Sequence, residues 1–414
     1  MNIYAVIILS ALILDYALDR IADALNLKAL SGDLPDEFKD VFDAEKYRRS
    51  QEYTRVKTRF NAVASTVDLV LILIFWFGRG FELVDALVRS VSQGIIQRGL
   101  LYVGVLILLK SLLSLPFHIY ATFVIEERFG FNKTTIKTFI TDLVKMVLLA
   151  IALGGPLLAG VLALFQYAGR YAWIYGWIAT ALFTLFIQYI APTWILPLFN
   201  KFKPLQDGDL RRGILDYTRS VRFPVSEITI MDGSKRSSKS NAFFTGFGRN
   251  KRIALFDTLV ERHTVPELVT VLAHEIGHYI KKHILIGLLI AIAHAGVLFY
   301  LLSIFLHHEG LYAAFYMSRQ PIYAGMVFFG LLYAPIEMIL SMFMNILSRR
   351  HERAADRFAV ETSGQRNAFI GALKKLSADN LSNLRPHPFY VFLNYSHPPV
   401  LERIRSMVIS DPPV

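Results

Sequence analysis

Long apolar stretches alternate with shorter polar ones along most of this 414-residue chain. A helix needs about 20 mostly apolar residues to cross a lipid bilayer. Stretches of this kind predict seven membrane-spanning helices, and the chain is therefore expected to be a mainly α-helical protein that crosses the membrane several times. The predicted spans are 2–25, 62–84, 100–125, 143–168, 171–197, 284–306 and 321–347.

Two polar regions interrupt this pattern and divide the chain into four predicted parts. Residues 1–197 form a membrane region with five spans, and residues 198–283 form the first polar segment. Residues 284–347 hold the sixth and seventh spans, and residues 348–414 form a polar C-terminal segment. Within the first polar segment, NAFFTG and KRIALF alternate polar and apolar residues around a turn-rich GFGRN. This pattern predicts a small β-hairpin.

The distribution of Lys and Arg predicts how the chain lies in the membrane. The first cation, Arg20, follows the first apolar stretch, whereas a secretory signal carries basic residues before it. We therefore expect a retained first span with its N-terminus outside. The first loop then lies inside, and it is rich in cations, as cytoplasmic loops are. These cations are Lys28, Lys39, Lys46, Arg48, Arg49, Arg55, Lys57 and Arg59.

Composition supports a membrane protein and narrows its chemistry. The chain is 54% hydrophobic and only 19% charged, and its net charge of +11 matches a cation-rich cytoplasmic side. No basic tract interleaved with aromatic residues indicates nucleic-acid binding, so the expected partners are the lipid bilayer and not nucleic acid. Because there is no cysteine, any metal must be held by His, Asp or Glu.

Several ionisable residues fall inside the apolar stretches, where an unpaired charge is costly. The simplest interpretation of each is an ion pair between helices or a position near a span end, but their number suggests a wet interior. They are Asp15, Asp68, Lys110, Lys145, His294 and Glu337.

The segment ELVTVLAHEIGHYIKKH contains the pattern His-Glu-x-x-His. Its apolar residues recur at helical spacing, so His274 and His278 lie one turn apart on one face and can bind one metal ion. Glu275 lies beside them and is placed to take a proton from a water that zinc activates. This short pattern also occurs by chance on surface helices, so a metal site is indicated only if the chain also supplies a third ligand.

The segment SRRHERAADRFAV supplies that candidate ligand. Glu352 and Asp356 are four residues apart on a predicted helix and share a face. Glu352 can be the third zinc ligand, and Asp356 can accept a hydrogen bond from the second ring nitrogen of a ligand histidine. The alternative is an ordinary charged helix face, which is less attractive once HEIGH is present in the same chain.

These segments together resemble the type I CAAX prenyl protease family of integral-membrane zinc proteases. The resemblance extends over nearly the whole chain. It is carried by FVIEERFGFNKTT at 123–135, SNAFFTGFGRNKRIALFDTLV at 240–260, HEIGH at 274–278, ERAAD at 352–356 and SHPPVLERI at 396–404.

The resemblance implies a fold and a set of site residues. Seven long helices would enclose a water-filled chamber, capped by a metalloprotease domain that holds one zinc ion per chain. Asn241 would bind substrate, and His397 and Arg403 would lie near the scissile carbonyl. Alternatively, Asn241 starts a strand, His397 docks the C-terminal tail, and Arg403 pairs with a carboxylate of the zinc site. The implied substrates are peptides or proteins ending in a CAAX-type sequence, with or without a prenyl group.

Other functions are compatible with part of this pattern. A membrane quality-control protease of the heat-shock type shares His-Glu-x-x-His and the later Glu, but has fewer spans. A transporter or receptor-like bundle with a vestigial zinc site is the alternative outside the enzymes. The short loops and the end ISDPPV suggest a bacterial inner-membrane protein, or an endoplasmic-reticulum protein in a eukaryote, with its catalytic side in the cytoplasm.

Overall fold

The computed structural model describes residues 1–225, 227–245 and 252–409. Its first half consists almost entirely of helices. They are α1 (Ile3–Lys28), α2 (Ala44–Phe77), α3 (Gly80–Val91), α4 (Ile95–Tyr120), α5 (Ile136–Leu149), α6 (Gly155–Tyr167), α7 (Ala172–Ile190) and α8 (Leu196–Phe199). Short π-helical turns continue α4 to Glu126, join α5 to α6, and join α7 to α8.

Two further helices of the second half are long and apolar. They are α12 (His283–Phe305) and α14 (Ile322–Ser363), and α14 extends well beyond the predicted seventh span. Within the described residues, six helical stretches are long and apolar enough to cross a membrane. They are Ala44–Phe77, Ile95–Glu126, Ile136–Tyr167, Gly169–Phe199, His283–Phe305 and Ile322–Ser363. Many of their Leu, Ile and Phe side chains are exposed, which fits lipid as their surrounding.

The structure differs from the predicted spans at the N-terminal end. The predicted span 2–25 is helix α1, which is not among the six because Asp15, Asp19 and Arg20 lie close together in it. The predicted span 62–84 was placed too late in the chain. Helix α2 begins at Ala44 and ends at Phe77, where Arg79 takes a left-handed backbone conformation with φ of 57°. Apolar residues lie on both sides of this turn, so hydropathy alone does not reveal where the helix ends.

The polar regions fold into shorter elements around one small sheet. The remaining helices are α9 (Asp209–Ser220), α10 (Asp257–Arg262), α11 (Val265–Ile280), α13 (Glu309–Ala313), α15 (Arg366–Asp379), α16 (Pro388–Asn394) and α17 (Val400–Ile409). The strands are β1 (Phe202–Pro204), β2 (Glu227–Met231), β3 (Ala242–Thr245) and β4 (Arg252–Phe256). They lie in the order β1-β2-β4-β3, so β3 is at an edge.

The predicted hairpin is present in this sheet. Strand β3 pairs antiparallel with β4, with Ala242 opposite Leu255 and Phe243 opposite Ala254. Its connecting residues 246–251 lie outside the described part of the chain. The pair β2 and β4 is parallel, and β1 and β2 are antiparallel.

The two polar regions share one hydrophobic core. Ile253 and Leu255 of the sheet pack with Leu272 and Ile276 of α11, and with Phe369 of α15. All five side chains are almost completely buried. Segments that are far apart in the sequence thus form one body at the end of the membrane helices, although the four-part division of the chain stays a prediction.

The ionisable residues of the membrane helices are mostly paired. Lys110 forms an ion pair with Asp68, and Lys145 donates a hydrogen bond to the carbonyl of Leu198 at 2.6 Å. His294 lies 2.9 Å from the Tyr333 hydroxyl and 3.4 Å from a Glu337 oxygen. Pairing lowers the cost of placing these groups at membrane depth.

A cavity of about 660 Å³ lies between α1, α2, α4 and α14. Its walls are mainly apolar, and Asp15, Asp19, Asp68 and Lys110 also line it. The larger water-filled chamber that the family resemblance implies stays a prediction.

A polar cluster joins the membrane region to the sheet. Glu126 accepts hydrogen bonds from the Tyr53 hydroxyl at 2.6 Å and from Lys239 at 2.8 Å. Lys239 also lies over the ring of Phe131, with its nitrogen 4.3 Å from the ring centroid. Because Lys239 comes shortly before β3, the segment 123–135 anchors the start of that edge strand.

Candidate metal centre

Helix α11 carries the His-Glu-x-x-His segment, and its start is well fixed. The side chain of Glu267 accepts a hydrogen bond from the backbone N–H of Thr264 at 2.8 Å, which satisfies a helix-end donor. Lys375 of α15 pairs with the same carboxylate at 2.8 Å. The helix therefore begins at a defined residue, and this sets the direction in which His274 and His278 point.

A close contact between α11 and α14 brings the third candidate ligand to the histidines. A side chain at Gly277 would meet the Ala355 Cα atom at 3.3 Å and the Phe358 ring at 3.1 Å. Without one, the two helix backbones approach closely. Glu352, one turn before Ala355, consequently lies beside the ligand face of α11.

The side chains of His274, His278 and Glu352 converge on one point. Their nearest ligand atoms lie within 4.8 Å of one another, as a bound metal ion requires. Nε2 of His274 is 3.4 Å from one Glu352 oxygen, and Nε2 of His278 is 3.2 Å from the other. Two imidazole nitrogens and a carboxylate are a donor set that suits a divalent transition metal.

The buried Glu352 carboxylate favours a cation at this point. Its side chain is only 4% exposed, and imidazole nitrogens of His274, His278 and His397 lie within 3.4 Å of its two oxygens. A buried carboxylate is costly unless a cation compensates its negative charge. A metal ion at the point where the three side chains converge removes that cost.

Asp356 and Arg403 form a buried pair behind His274. Nδ1 of His274 lies 2.8 Å from a carboxylate oxygen of Asp356. Arg403 donates two hydrogen bonds to the same carboxylate, one of them from Nε at 2.8 Å. Arg403 is thus in contact with a carboxylate beside the candidate ligands. It therefore fixes Asp356, which in turn orients the His274 ring.

The electrostatics of the site also favour a positive charge. Burial by itself lowers the pKa of His274, but hydrogen bonding to Asp356 and Glu352 outweighs burial and raises that pKa to about 9. Burial raises the pKa of the Glu275 carboxyl above its ordinary value, although His274 and His278 act against this. A raised pKa makes the Glu275 carboxylate a stronger base than an ordinary Glu.

His397 lies at the open side of the same site. Its Nδ1 is 2.9 Å from a Glu352 oxygen, and its side chain is 64% exposed. Arg349 of α14 donates hydrogen bonds to the carbonyls of Val391 and Tyr395, which holds the turn before His397. The turn thereby brings the C-terminal segment to the metal-binding group.

Asn241 stands at the start of the edge strand β3. Asn241 is exposed, and its backbone carbonyl accepts a hydrogen bond from the backbone N–H of Phe256 at 3.1 Å. This position is compatible with both alternatives, a substrate contact and a residue that starts a strand.

Sequence reasoning missed His283 as a neighbour of the site. Its Nδ1 lies 3.1 Å from Nδ1 of His278, and its ring stacks on His351 at 4.0 Å. In a continuous helix, a residue five positions on would point about 140° away. No spacing rule could therefore have paired His283 with His278, although both stand in the same segment.

Comparison with known protein families divides the chain into two matched regions. Residues 23–201 match the family described as CAAX prenyl protease N-terminal, five membrane helices. Residues 204–408 match Peptidase family M48. Together the two regions account for most of the chain, including every candidate ligand.

Individual relatives and a solved structure agree with these families. The chain is 35% identical to CAAX prenyl protease 1 homolog of Arabidopsis thaliana, covering 96% of this chain and 95% of that protein. It is 34% identical to CAAX prenyl protease 1 of Saccharomyces cerevisiae, covering 90% of this chain and 88% of that protein. It resembles the crystal structure of S. mikatae Ste24p with a TM-score of 0.93 and 32% identity, over 98% of this chain and 99% of that one.

The pair formed by Asp356 and Arg403 leads to a prediction about metal affinity. Replacing Asp356 with Asn removes the negative charge that holds His274 and leaves Arg403 without its counter-ion. Because outer-shell partners of this kind typically contribute 10- to 100-fold, metal affinity should fall by about that factor. Competition with a chelator measures it on the purified protein.

The matched control is Asp216→Asn, at an exposed surface position where the carboxylate is 72% exposed. That variant should bind metal as the unchanged protein does. An Asp356→Asn protein with unchanged affinity would show that the pair has no part in metal binding.

Proposed function

Since the chain belongs to the CAAX prenyl protease family of M48 metallopeptidases, we propose that it hydrolyses peptide bonds near the C-terminus of CAAX-type substrates, with prenylated ones preferred. It is an integral-membrane metalloendopeptidase. The observation that carries the proposal is the convergence of His274, His278 and Glu352 beside Glu275, in a chain with long apolar helices.

We propose that the metal is zinc, one ion per chain, held by His274, His278 and Glu352. Two imidazoles and one carboxylate are a common ligand set of catalytic zinc, which keeps its fourth position open. Zinc bound there supplies a Lewis acid that polarises the scissile carbonyl and makes water a better nucleophile.

Glu275 is the proposed general base and acid. It follows His274 directly in the sequence, and its electrostatic neighbours include His274, His278, Glu352 and His397. It takes a proton from the attacking water and delivers it to the leaving amine. Its raised pKa suits the first step, because it makes the carboxylate a stronger base.

The edge strand β3 is the proposed binding place of the substrate backbone. One side of β3 pairs with β4, so its other side can pair with an extended peptide. Asn241, exposed at the start of this strand, is placed to hold the peptide with its amide group. Lys239, anchored by Glu126, keeps the start of the strand in position.

His397 is proposed to stabilise the transition state. Its exposed ring lies next to Glu352, so it borders the space in which a scissile carbonyl would lie. A hydrogen bond donated to the oxyanion would strengthen as negative charge develops. Arg403 serves as a positioning residue, since its guanidinium is committed to Asp356.

The first test of this function is product mapping by mass spectrometry with purified protein and matched prenylated and unprenylated CAAX peptides. We expect cleavage within the last residues of the prenylated peptide, and about one zinc per chain by metal analysis. Glu275→Gln keeps the size of the side chain and all three ligands, so it should retain zinc while turnover falls at least about 100-fold.

The matched control is Glu45→Gln, in the first turn of α2, where the side chain is 71% exposed. It should leave both zinc and turnover unchanged. Cleavage at scattered internal sites of unfolded membrane proteins, with none near the CAAX end, would instead favour the quality-control alternative. Normal turnover by Glu275→Gln would remove the role assigned to that residue.

Kinetic measurements distinguish a transition-state role of His397 from a role in docking the C-terminal tail. Loss of one transition-state donor should lower kcat by about 100- to 1,000-fold with KM little changed. His397→Ala, assayed for kcat, zinc content and melting temperature together, measures this. A loss of kcat fully explained by unfolding or zinc loss would assign His397 to docking of the tail.

We also propose that the metal centre faces the cytoplasm. The first loop, rich in Lys and Arg, packs against the C-terminal segment through Phe38, Tyr47 and Ile404. Helix α12 starts near the metal centre, and its 23 residues span roughly 34 Å, so Glu309 beyond its far end lies on the other side. A tag in the first loop should report the cytoplasm, and a tag near Glu309 the opposite compartment. The reverse result would contradict the charge argument.

A further inference from the structure

The two candidate ligand histidines use their second ring nitrogens differently. Nε2 of each ring points to Glu352, which leaves Nδ1 for another partner. For His274 that partner is the carboxylate of Asp356, at 2.8 Å. For His278 it is Nδ1 of His283, a second imidazole, at 3.1 Å.

The chain holds the His283 ring firmly in this place. Lys282 takes a left-handed backbone conformation with φ of 61°, which ends α11 and starts α12 at His283. His283 is buried, and its ring stacks on His351 with an interplanar angle of 5°. His351 precedes Glu352 on α14. The stack thus ties the first residue of α12 to the ligand-bearing turn of α14.

The proton arrangement of this contact follows from the ligand role. Two ring nitrogens 3.1 Å apart form a hydrogen bond only if one carries a proton and the other a lone pair. If Nε2 of His278 binds the metal, the ring proton of His278 is on Nδ1. Nδ1 of His283 must then accept it, and the proton of a neutral His283 lies on its Nε2.

We propose that His283 is a positioning residue of the metal centre, which orients His278 by accepting the hydrogen bond from its Nδ1–H. This inference rests on the proposed function, in which His278 binds the metal. The neutral His283 ring orients His278 as the Asp356 carboxylate orients His274. It adds no further negative charge to a site that already holds three carboxylates, those of Glu275, Glu352 and Asp356. Burial of another anion would need a further counter-ion.

The test compares two replacements of nearly equal shape. Asn at position 283 can offer its carbonyl oxygen close to where Nδ1 of His283 lies, whereas Leu has the same branching and no acceptor. Both lose the stack on His351 equally. Zinc affinity, measured by competition with a chromogenic chelator on the full-length protein in detergent, should fall about 10- to 100-fold for His283→Leu. The zinc affinity of His283→Asn should stay within about threefold of that of the unchanged protein. This change is smaller than the loss expected when an outer-shell partner is removed.

A spectroscopic measurement and a third variant complete the test. In cobalt-substituted protein, His283→Leu should change the visible absorption bands of the metal, and His283→Asn should leave them close to those of the unchanged protein. His283→Phe keeps a ring for stacking on His351 and removes the acceptor. It should resemble the Leu variant in zinc affinity, and it keeps the test decisive if the Leu variant fails to fold.

The outcomes separate this inference from the proposed function. His278→Ala, in the same assay, should lose far more affinity than any variant at position 283. If His278→Ala binds zinc normally, the proposed ligand set is wrong. If His278→Ala loses zinc but His283→Phe binds it normally, His283 only packs and its positioning role is overturned. Equal loss by the Asn and Leu variants would overturn it too.

Discussion

The closeness of α11 and α14 is the constraint on which the rest of the site depends. Gly277 leaves no side chain between the two backbones, and Ala355 faces it across the gap. A bound metal tolerates only a few tenths of an ångström in its ligand distances. Two histidines on one helix can therefore share an ion with Glu352 only if the helices are held at this separation. The N-terminal cap of α11 and the hydrophobic core behind it help to hold the two helices at this separation.

Charge compensation organises the layer around this contact. The site gathers three carboxylates in a region with little water, which is unfavourable unless each finds a cation or a donor. Arg403 provides one for Asp356, and His274 gains an oriented ring from the same pair. Glu352 is buried among the imidazoles of His274, His278 and His397, so a cation at this point would balance its charge.

The membrane region contributes to the site through contacts that a soluble protease would not need. Glu126 at the end of a membrane helix holds Lys239, and Lys239 leads into the edge strand β3. The first loop packs on the C-terminal segment that carries Arg403 and His397. The edge strand and the C-terminal segment are thus attached to the membrane region at two separate points.

The amino-acid sequence by itself determined what depends on local periodicity. Spacings of four residues placed His274 with His278 and Glu352 with Asp356 on shared helix faces, and alternation marked the hairpin of β3 and β4. The family resemblance added the distant segments that belong to one site. Only the tertiary structure decided which neighbours these residues meet. It ended α2 at Phe77, set Arg403 against Asp356, and turned His283 back to His278 through a left-handed Lys282. Such contacts depend on backbone turns and on the separation of helices. Neither produces a periodic pattern of residues in the sequence.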